Sequence, residues 1–181
     1  MRNQTLEQYN AVIEKCKSLF LKKTSDYGTS WRILRLPSIT DQIFIKAQRI
    51  RSIQEKGTQK VEDPIVDEFI GIINYCTIAL MQMQLSKTNE LELPLSEVEE
   101  LYSKTTDKVR SLLSNKNHDY NEAWREMRVS SITDIILMKL YRIKQIEDNN
   151  GTVLVSEGVE GSYNDMINYS VFCLILLHFV D

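Results

Sequence analysis

The stretch SITDQIFIKAQRI at residues 38–50 returns as SITDIILMKLYRI at residues 131–143. At the same offset the residues before each stretch also match, Asp26-Tyr27 with Asp119-Tyr120 and Trp31-Arg32 with Trp124-Arg125. After one inserted residue, Ile73-Asn74-Tyr75 matches Ile167-Asn168-Tyr169. So many ordered identities indicate a tandem duplication of one supersecondary unit.

Composition restricts the class of protein. Hydrophobic residues make up 43% and charged residues 26% of the 181 residues, as in ordinary globular domains. The net charge of −3 argues against a nucleic-acid polymer as partner. Three separated cysteines predict buried free thiols in a reducing compartment. With no signal peptide, and an apolar run at 171–177 too short to span a bilayer, the sequence predicts a cytoplasmic protein without a membrane partner.

Each unit is predicted to form three helices. Apolar spacing places the first helices at about 5–22 and 96–114, and the second helices at Ser38 and Ser131, where Ser-x-x-Asp has the spacing of a capping box. The third helices are expected from Asp63-Pro64 to about residue 84 and at about 158–179. The polar segment 86–94 separates a first unit, 1–88, from a second, 89–181. These two units are also expected to be able to pack as one compact domain.

The third helix is apolar around nearly its whole circumference in both copies, which is typical of a helix at the centre of a bundle. Two central helices from equivalent units predict an all-α fold in which two tandem three-helix repeats pack as a pseudo-twofold helical bundle. The apolar end at residues 171–180 also suggests self-association as a homodimer.

The second helices carry an unusual pair of cations. Lys46 lies within a stripe of isoleucines, as does Lys139 in the second copy, and Arg49 and Arg142 follow on the flank of the stripe. A core-facing ammonium needs a partner, because its desolvation is costly. The pattern therefore predicts either ion pairs with the third helix or a grip on a phosphate chain.

The loop and third-helix residues have two interpretations each. Asp26 and Asp119 fit an Asx-turn or a ligand contact. Tyr27, Trp31, Tyr120 and Trp124 fit stacking on a nucleobase, although a tryptophan more often anchors a loop to helices. Asn74 and Asn168 are amides in apolar helices, so they are expected to bridge the central helices or to contact a sugar or base.

Four carboxylates are candidate metal ligands. Glu68 aligns with Ser162 and Gly71 aligns with Asp165, so one half of a Glu-x-x-Asp pair survives in each copy and suits Mg²⁺. Asp41 and Asp134 are expected to cap the second helices or to bind metal. The alternative for the third-helix carboxylates is a solvated helix start.

The repeated motif resembles the bacterial family called nucleotide modification associated domain 1. Its Lys-x-x-Asp-Tyr-Gly-x-x-Trp loop is matched by Lys23 to Trp31, and by Lys116 to Trp124 with Asn121 in place of glycine. The second and third helices are more loosely similar to MazG-type all-α pyrophosphatases. That resemblance implies Mg²⁺-dependent cleavage of nucleoside triphosphates, using Glu-x-x-Glu and Glu-x-x-Asp motifs. Here Glu-x-x-Glu is absent from the second helices, and Glu-x-x-Asp is incomplete.

Two functions follow as hypotheses. The first is a protein that binds or processes a small-molecule nucleotide, including hydrolysis of a modified nucleoside triphosphate. Its site would lie between the two copies, with Mg²⁺ neutralising the phosphates. The second is a non-catalytic interaction or scaffold protein whose repeated charges form internal ion pairs. Lysines sealed against carboxylates without an adjoining cavity would favour the second.

Overall fold

The computed structural model describes residues 3–57, 65–117, 122–154 and 158–180. These ranges contain six α-helices and two short 3-10 helices, and no strand is found in them. The α-helices are α1 (Asn3–Tyr27), α2 (Leu36–Lys56), α3 (Ile65–Gln84), α4 (Leu95–Asn117), α5 (Val129–Asp148) and α6 (Val159–Leu176). The 3-10 turns are Ser30–Ile33 and Ala123–Glu126. The predicted all-α class with two three-helix repeats is confirmed.

The first helix is longer than predicted. α1 continues through Asp26 and Tyr27, so the prediction of an Asx-turn at Asp26 is wrong. The helix ends because Gly28 adopts φ +68 and its N–H bonds to the carbonyl oxygen of Thr24 at 2.8 Å. Asp119 and Tyr120 lie outside the described residues.

The second helices begin two residues earlier than predicted. Arg35 and Arg128 are the N-cap residues, both in extended conformation and neither with a side-chain capping bond. The capping-box prediction for Ser38 and Ser131 is therefore wrong, and Asp41 does not cap α2. In α2 the early start is favoured by Pro37 in the first turn, since proline presets a helical φ where no N–H bond is needed.

The other boundaries differ less. α4 begins at Leu95, so Ser96 lies one residue inside the helix. α6 ends at Leu176, before the predicted end at Phe179. The predicted start of the third helix at Asp63-Pro64 lies outside the described residues.

The two third helices, α3 and α6, lie at the centre. They pack against each other, α2 packs against α3 and α5, and α5 packs against α6. Ile72 and Ile73 of α3 and Ile167 of α6 are fully buried. By length and composition α3 is also apolar enough to cross a membrane, but its burial in the bundle accounts for that composition.

The apolar stretch at residues 171–175 is buried within the chain, as is Val180. The feature that suggested self-association is therefore used inside the molecule. The three cysteines are buried free thiols, as predicted. Burial raises the pKa of Cys16 to about 12, so this thiol stays protonated at neutral pH.

Two equivalent hydrogen bonds tie each unit to the other. The Tyr9 hydroxyl on α1 donates to Oδ1 of Asn168 on α6 at 2.8 Å, and the Tyr102 hydroxyl on α4 donates to Oδ1 of Asn74 on α3 at 2.8 Å. Both asparagines thus bridge helices, but their tyrosine partners are on the first helix of the opposite unit instead of the other central helix.

Polar pairs repeat across the α2–α5 interface. Asp41 pairs with Lys144 at 2.7 Å, and the equivalent Asp134 lies 3.6 Å from Arg51. The next layer pairs Thr40 with Glu147 at 2.7 Å and Thr133 with Gln54 at 3.1 Å. In each layer, the residues of one contact are the repeat equivalents of the residues of the other contact, with the two units exchanged. This is the relation expected of a pseudo-twofold bundle.

Candidate functional site

A cavity of about 740 Å³ opens in the first unit, between the end of α1, the first 3-10 turn, α2 and α3. It is within the size range of small-molecule sites. The polar and aromatic residues that line it include six of the residues predicted from sequence, Tyr27, Trp31, Lys46, Arg49, Glu68 and Asn74. The sequence repeat and the tertiary structure thus select the same group of side chains.

Glu68 is at the centre of the charged part of this cavity. It is only 5% exposed. Its Oε1 lies 2.6 Å from Nη1 of Arg49, and its Oε2 lies 3.3 Å from Nζ of Lys46. Two cations one helical turn apart on α2 therefore share one carboxylate on α3, as the ion-pair alternative predicted.

Gly71 determines where Lys46 can lie. A Cβ atom built on Gly71 would be 2.6 Å from Cε and 2.7 Å from Cδ of Lys46. The lysine stem therefore crosses the bare backbone of α3 to reach Glu68. Its ammonium also lies 5.9 Å from the ring centroid of Tyr75.

Aromatic residues line the same cavity. Trp31 is 7% exposed and packs against Phe20 with ring centroids 6.4 Å apart. Tyr27, by contrast, is 59% exposed. Partial burial, then the proximity of Tyr75 and Asp26, raises the pKa of Tyr27, so its hydroxyl is a neutral donor at physiological pH.

Trp31 also anchors the loop, which was the alternative to stacking. The next residue, Arg32, donates to the carbonyl oxygens of Glu90 at 2.9 Å and Thr88 at 2.8 Å, and it also bonds the side chain of Gln82. Trp31 Nε1 is buried and has no hydrogen-bond partner in the described part of the chain. Its ring edge is thus held by packing alone.

The second unit has a corresponding cavity of about 610 Å³, lined by Lys139, Arg142, Ser162 and Asp165 among others. Lys139 pairs with Asp165 at 2.5 Å, and Arg142 is exposed. Here the carboxylate lies one turn later than Glu68, at the position equivalent to Gly71. Trp124 stacks on Phe172 with centroids 4.2 Å apart and does not appear among the described lining residues.

The expectation of a site shared between the two copies is wrong for these cavities, because each is lined by residues of one unit. The reason is that α3 and α6 pack through their apolar faces, which turns the charged edge of each third helix toward its own second helix. Asp26 is exposed and does not line the first cavity. Asn168 is 7% exposed and bonded to Tyr9, away from either cavity lining.

The candidate metal ligands do not converge. Asp41 and Asp134 lie at the α2–α5 interface in ion pairs, while Glu68 and Asp165 are each paired with lysine. Within residues 3–57, 65–117, 122–154 and 158–180, no group of three or more His, Cys, Asp or Glu side chains has the arrangement of a metal site. The donor set of these described residues therefore does not fit a cation held by the protein alone.

Five polar residues that line the first cavity were missed as site candidates, namely Lys23, Thr24, Ser30, Asp67 and Tyr75. Tyr75 had a usable signal, since Asn74-Tyr75 recurs as Asn168-Tyr169. Ser30 had none, because a polar residue in a polar loop is not distinctive.

Fold and cavity together define an internally duplicated, all-helical protein with a small-molecule-sized pocket in each unit. The family model described as nucleotide modification associated domain 1 matches residues 23–83 and again residues 116–177. These segments cover about two thirds of the chain, and the protein belongs to this family. No curated protein and no solved structure was found to match it.

Proposed function

We propose that the protein binds a small-molecule nucleotide in the cavity of the first unit. One observation carries the proposal, namely that cations and aromatic rings line the same 740 Å³ cavity. A nucleotide carries groups that suit both kinds of residue, an anionic phosphate and a flat base. The family description, which refers to nucleotide modification, is consistent with this proposal.

Lys46 and Arg49 are suited to the phosphate end. Their side chains are 27% and 34% exposed, so both are partly desolvated yet remain open to the cavity. Partial desolvation strengthens charge-assisted hydrogen bonds to an anion. Arg49 adds a planar guanidinium, which matches phosphate oxygens better than an ammonium does.

Tyr27 and Tyr75 are suited to the base. Tyr27 is more than half exposed at the cavity mouth, where a ring has an open face for stacking. Base–aromatic stacking contributes roughly 1–3 kcal/mol per base. Asn74 already accepts from Tyr102 and donates to the carbonyl oxygen of Cys16 at 3.3 Å, so we assign it to positioning the wall and not to reading the base.

The alternative is a scaffold protein without a ligand. It is favoured by the sealing of Lys46 and Lys139 against carboxylates, which meets one of the two conditions set out from the sequence. The second condition was the lack of an adjoining cavity, and both lysines line cavities. We therefore prefer the nucleotide-binding proposal.

Hydrolysis is a separate, finer proposal that follows from the similarity to MazG-type pyrophosphatases. Because the described carboxylates do not fit a protein-held Mg²⁺, we assign no residue to a metal-dependent step. Any Mg²⁺ needed would enter with the phosphates of the nucleotide. Pyrophosphate release from common and modified nucleoside triphosphates, with Mg²⁺ or with EDTA, decides whether hydrolysis accompanies binding.

The binding proposal is tested by thermal shift and isothermal titration calorimetry with common and modified nucleotides. We expect at least one nucleotide to bind, and Arg49→Gln to weaken it by about tenfold, since a charged contact to phosphate is lost. Arg142→Gln, the matched change in the second unit, should leave that affinity unchanged. Absence of binding by every nucleotide would reject the proposal and support the scaffold alternative.

A further inference from the structure

The charges around the first cavity are nearly balanced. Three cations line it, Lys23, Lys46 and Arg49, together with two carboxylates, Asp67 and Glu68. Counted over the described lining residues, the surplus is a single positive charge. A cavity built for a long polyphosphate would be expected to carry a larger positive surplus.

The two carboxylates also limit the contacts that the cations can make with a bound phosphate. Glu68 is 5% exposed and contacts both Lys46 and Arg49, so an anion that enters meets both cations already paired. An incoming phosphate must share these cations with Glu68. Asp67 is exposed on the same turn of α3 and lies on the cavity wall, where it repels any further phosphate.

Outside this charged edge, the lining is mainly apolar and aromatic, including Phe20, Trp31, Leu34, Ile70 and Ile78. Such a surface favours a nucleoside and does not solvate additional phosphates. In addition, the described residues contain no group of three or more His, Cys, Asp or Glu side chains arranged to hold a metal ion.

From this charge balance we propose that the ligand of the first cavity is a nucleoside monophosphate, in preference to a di- or triphosphate. The inference rests on the proposed function and narrows it to one substrate class. A single phosphate monoester carries about −1.5 to −2 charges at neutral pH, which Lys46, Arg49 and Lys23 can share with the two carboxylates. Each added phosphate brings a further negative charge, and the described lining residues supply no further cation for it.

The test compares, for each of the common ribo- and deoxynucleosides, the unphosphorylated form and the mono-, di- and triphosphates, by calorimetry in EDTA. For every base that binds, the monophosphate should bind about tenfold more tightly than the triphosphate, and the free nucleoside should be weaker than the monophosphate. The preference should shrink as salt is raised, because ions screen the repulsion.

Asp67→Asn gives a charge-specific check that does not endanger folding, since Asp67 is exposed and makes no ion pair within the described chain. Removing this charge should improve triphosphate binding more than monophosphate binding. The ratio of monophosphate affinity to triphosphate affinity should therefore fall. Asp165→Asn in the second unit is the control and should leave the ratio unchanged.

The outcomes separate the two proposals. If no nucleotide binds, the proposed function fails and this inference fails with it. If nucleotides bind but triphosphates bind as tightly as monophosphates or more tightly, only the monophosphate assignment is overturned. A ratio that Asp67→Asn leaves unchanged would also overturn it, because the preference would then not arise from the pocket charge.

Discussion

Gly71 and Asp165 occupy equivalent positions in α3 and α6, as do Glu68 and Ser162, and these two differences change the partner of the repeated lysine. In the first unit the bare glycine lets Lys46 cross α3 to Glu68. In the second unit the aspartate takes Lys139 itself, at 2.5 Å, and serine replaces the glutamate. The ion pair is thus preserved while its position along the third helix moves by one turn.

Gly71→Ala should separate binding from stability. Alanine favours the helix by about 0.5–1 kcal/mol, but its Cβ would lie 2.6 Å from Cε of Lys46 and displace that flexible side chain. We expect the free energy of unfolding in urea to change by less than about 1 kcal/mol, while nucleotide affinity falls. Lys46→Met is the matched control and should lose affinity similarly. Wild-type affinity in Gly71→Ala would show that the lysine position does not matter.

Another difference between the units, Glu147 in place of Gln54, makes the stability of the protein depend on pH. Glu147 lies half-buried beside Thr40, and burial, with Asp41 and Asp148 nearby, raises its pKa above the ordinary 4.5 despite the hydrogen bonds from Thr40 and Tyr163. The folded state therefore binds this proton more tightly than the unfolded state. Its stabilising effect is complete below about pH 4.5 and is lost as pH rises through the raised pKa.

Glu147→Gln should remove this loss of stability at high pH, because glutamine does not ionise. The equivalent residue in the first unit is Gln54, which donates a hydrogen bond to Thr133. Urea unfolding should show the variant more stable than the wild type at pH 8, with the difference shrinking toward pH 4. The reciprocal change, Gln54→Glu, should introduce the same trend. A Glu147→Gln variant that is less stable at pH 8 would contradict this account.

At the scale of elements, α2 and α5 are held together by a buried isoleucine stripe with polar pairs at its edges. Ile39, Ile43 and Ile50 are fully buried, as are their counterparts Ile132, Ile136 and Ile143. The edge residues Asp41 and Asp134 are exposed. Apolar burial therefore contributes most of the interface energy, and the ion pairs set its alignment.

Asp41→Asn and Asp134→Asn should each lower the free energy of unfolding by less than about 1 kcal/mol, because exposed ion pairs contribute little. The loss should diminish in high salt. Nucleotide affinity and any Mg²⁺ effect should be unaffected in both variants. A Mg²⁺-dependent stabilisation of the wild type that disappears in either variant would instead restore these aspartates as metal ligands.

At the scale of the whole molecule, the two units depend on each other. Most contacts between elements join one unit to the other, through α3 with α6 and α2 with α5. The first helices add to this, since Tyr9 bonds to Asn168 and Tyr102 bonds to Asn74. A unit by itself would expose the apolar faces of its second and third helices and leave buried polar groups without partners.

Fragments 1–88 and 89–181 should therefore fail to unfold cooperatively when they are prepared separately, and they should regain cooperative unfolding when mixed. Circular dichroism during urea titration measures this. As a control, the full chain cleaved within residues 86–94 should keep its unfolding transition. Cooperative unfolding of residues 1–88 as a monomer would show that the units are independent.

The sequence by itself determined the repeat, the helical class and the identity of the charged pair on each second helix. Periodicity was sufficient for this, because burial of one helix face requires apolar residues at regular spacing. It was also enough to predict that Lys46 needs a partner, since an ammonium in an isoleucine stripe cannot remain unpaired. Helix ends were predicted less well, as at Tyr27 and Arg35, because caps depend on a few local hydrogen bonds.

Only the tertiary structure decided which unit supplies each wall of the candidate site. The sequence predicted one site between the copies, whereas the charged edges of α3 and α6 face α2 and α5 and line a separate cavity in each unit. Likewise, only the tertiary structure showed that Asn74 and Asn168 accept hydrogen bonds from tyrosines of the opposite unit. These choices depend on how whole faces fit together across long sequence separations, which residue spacing along one helix does not specify.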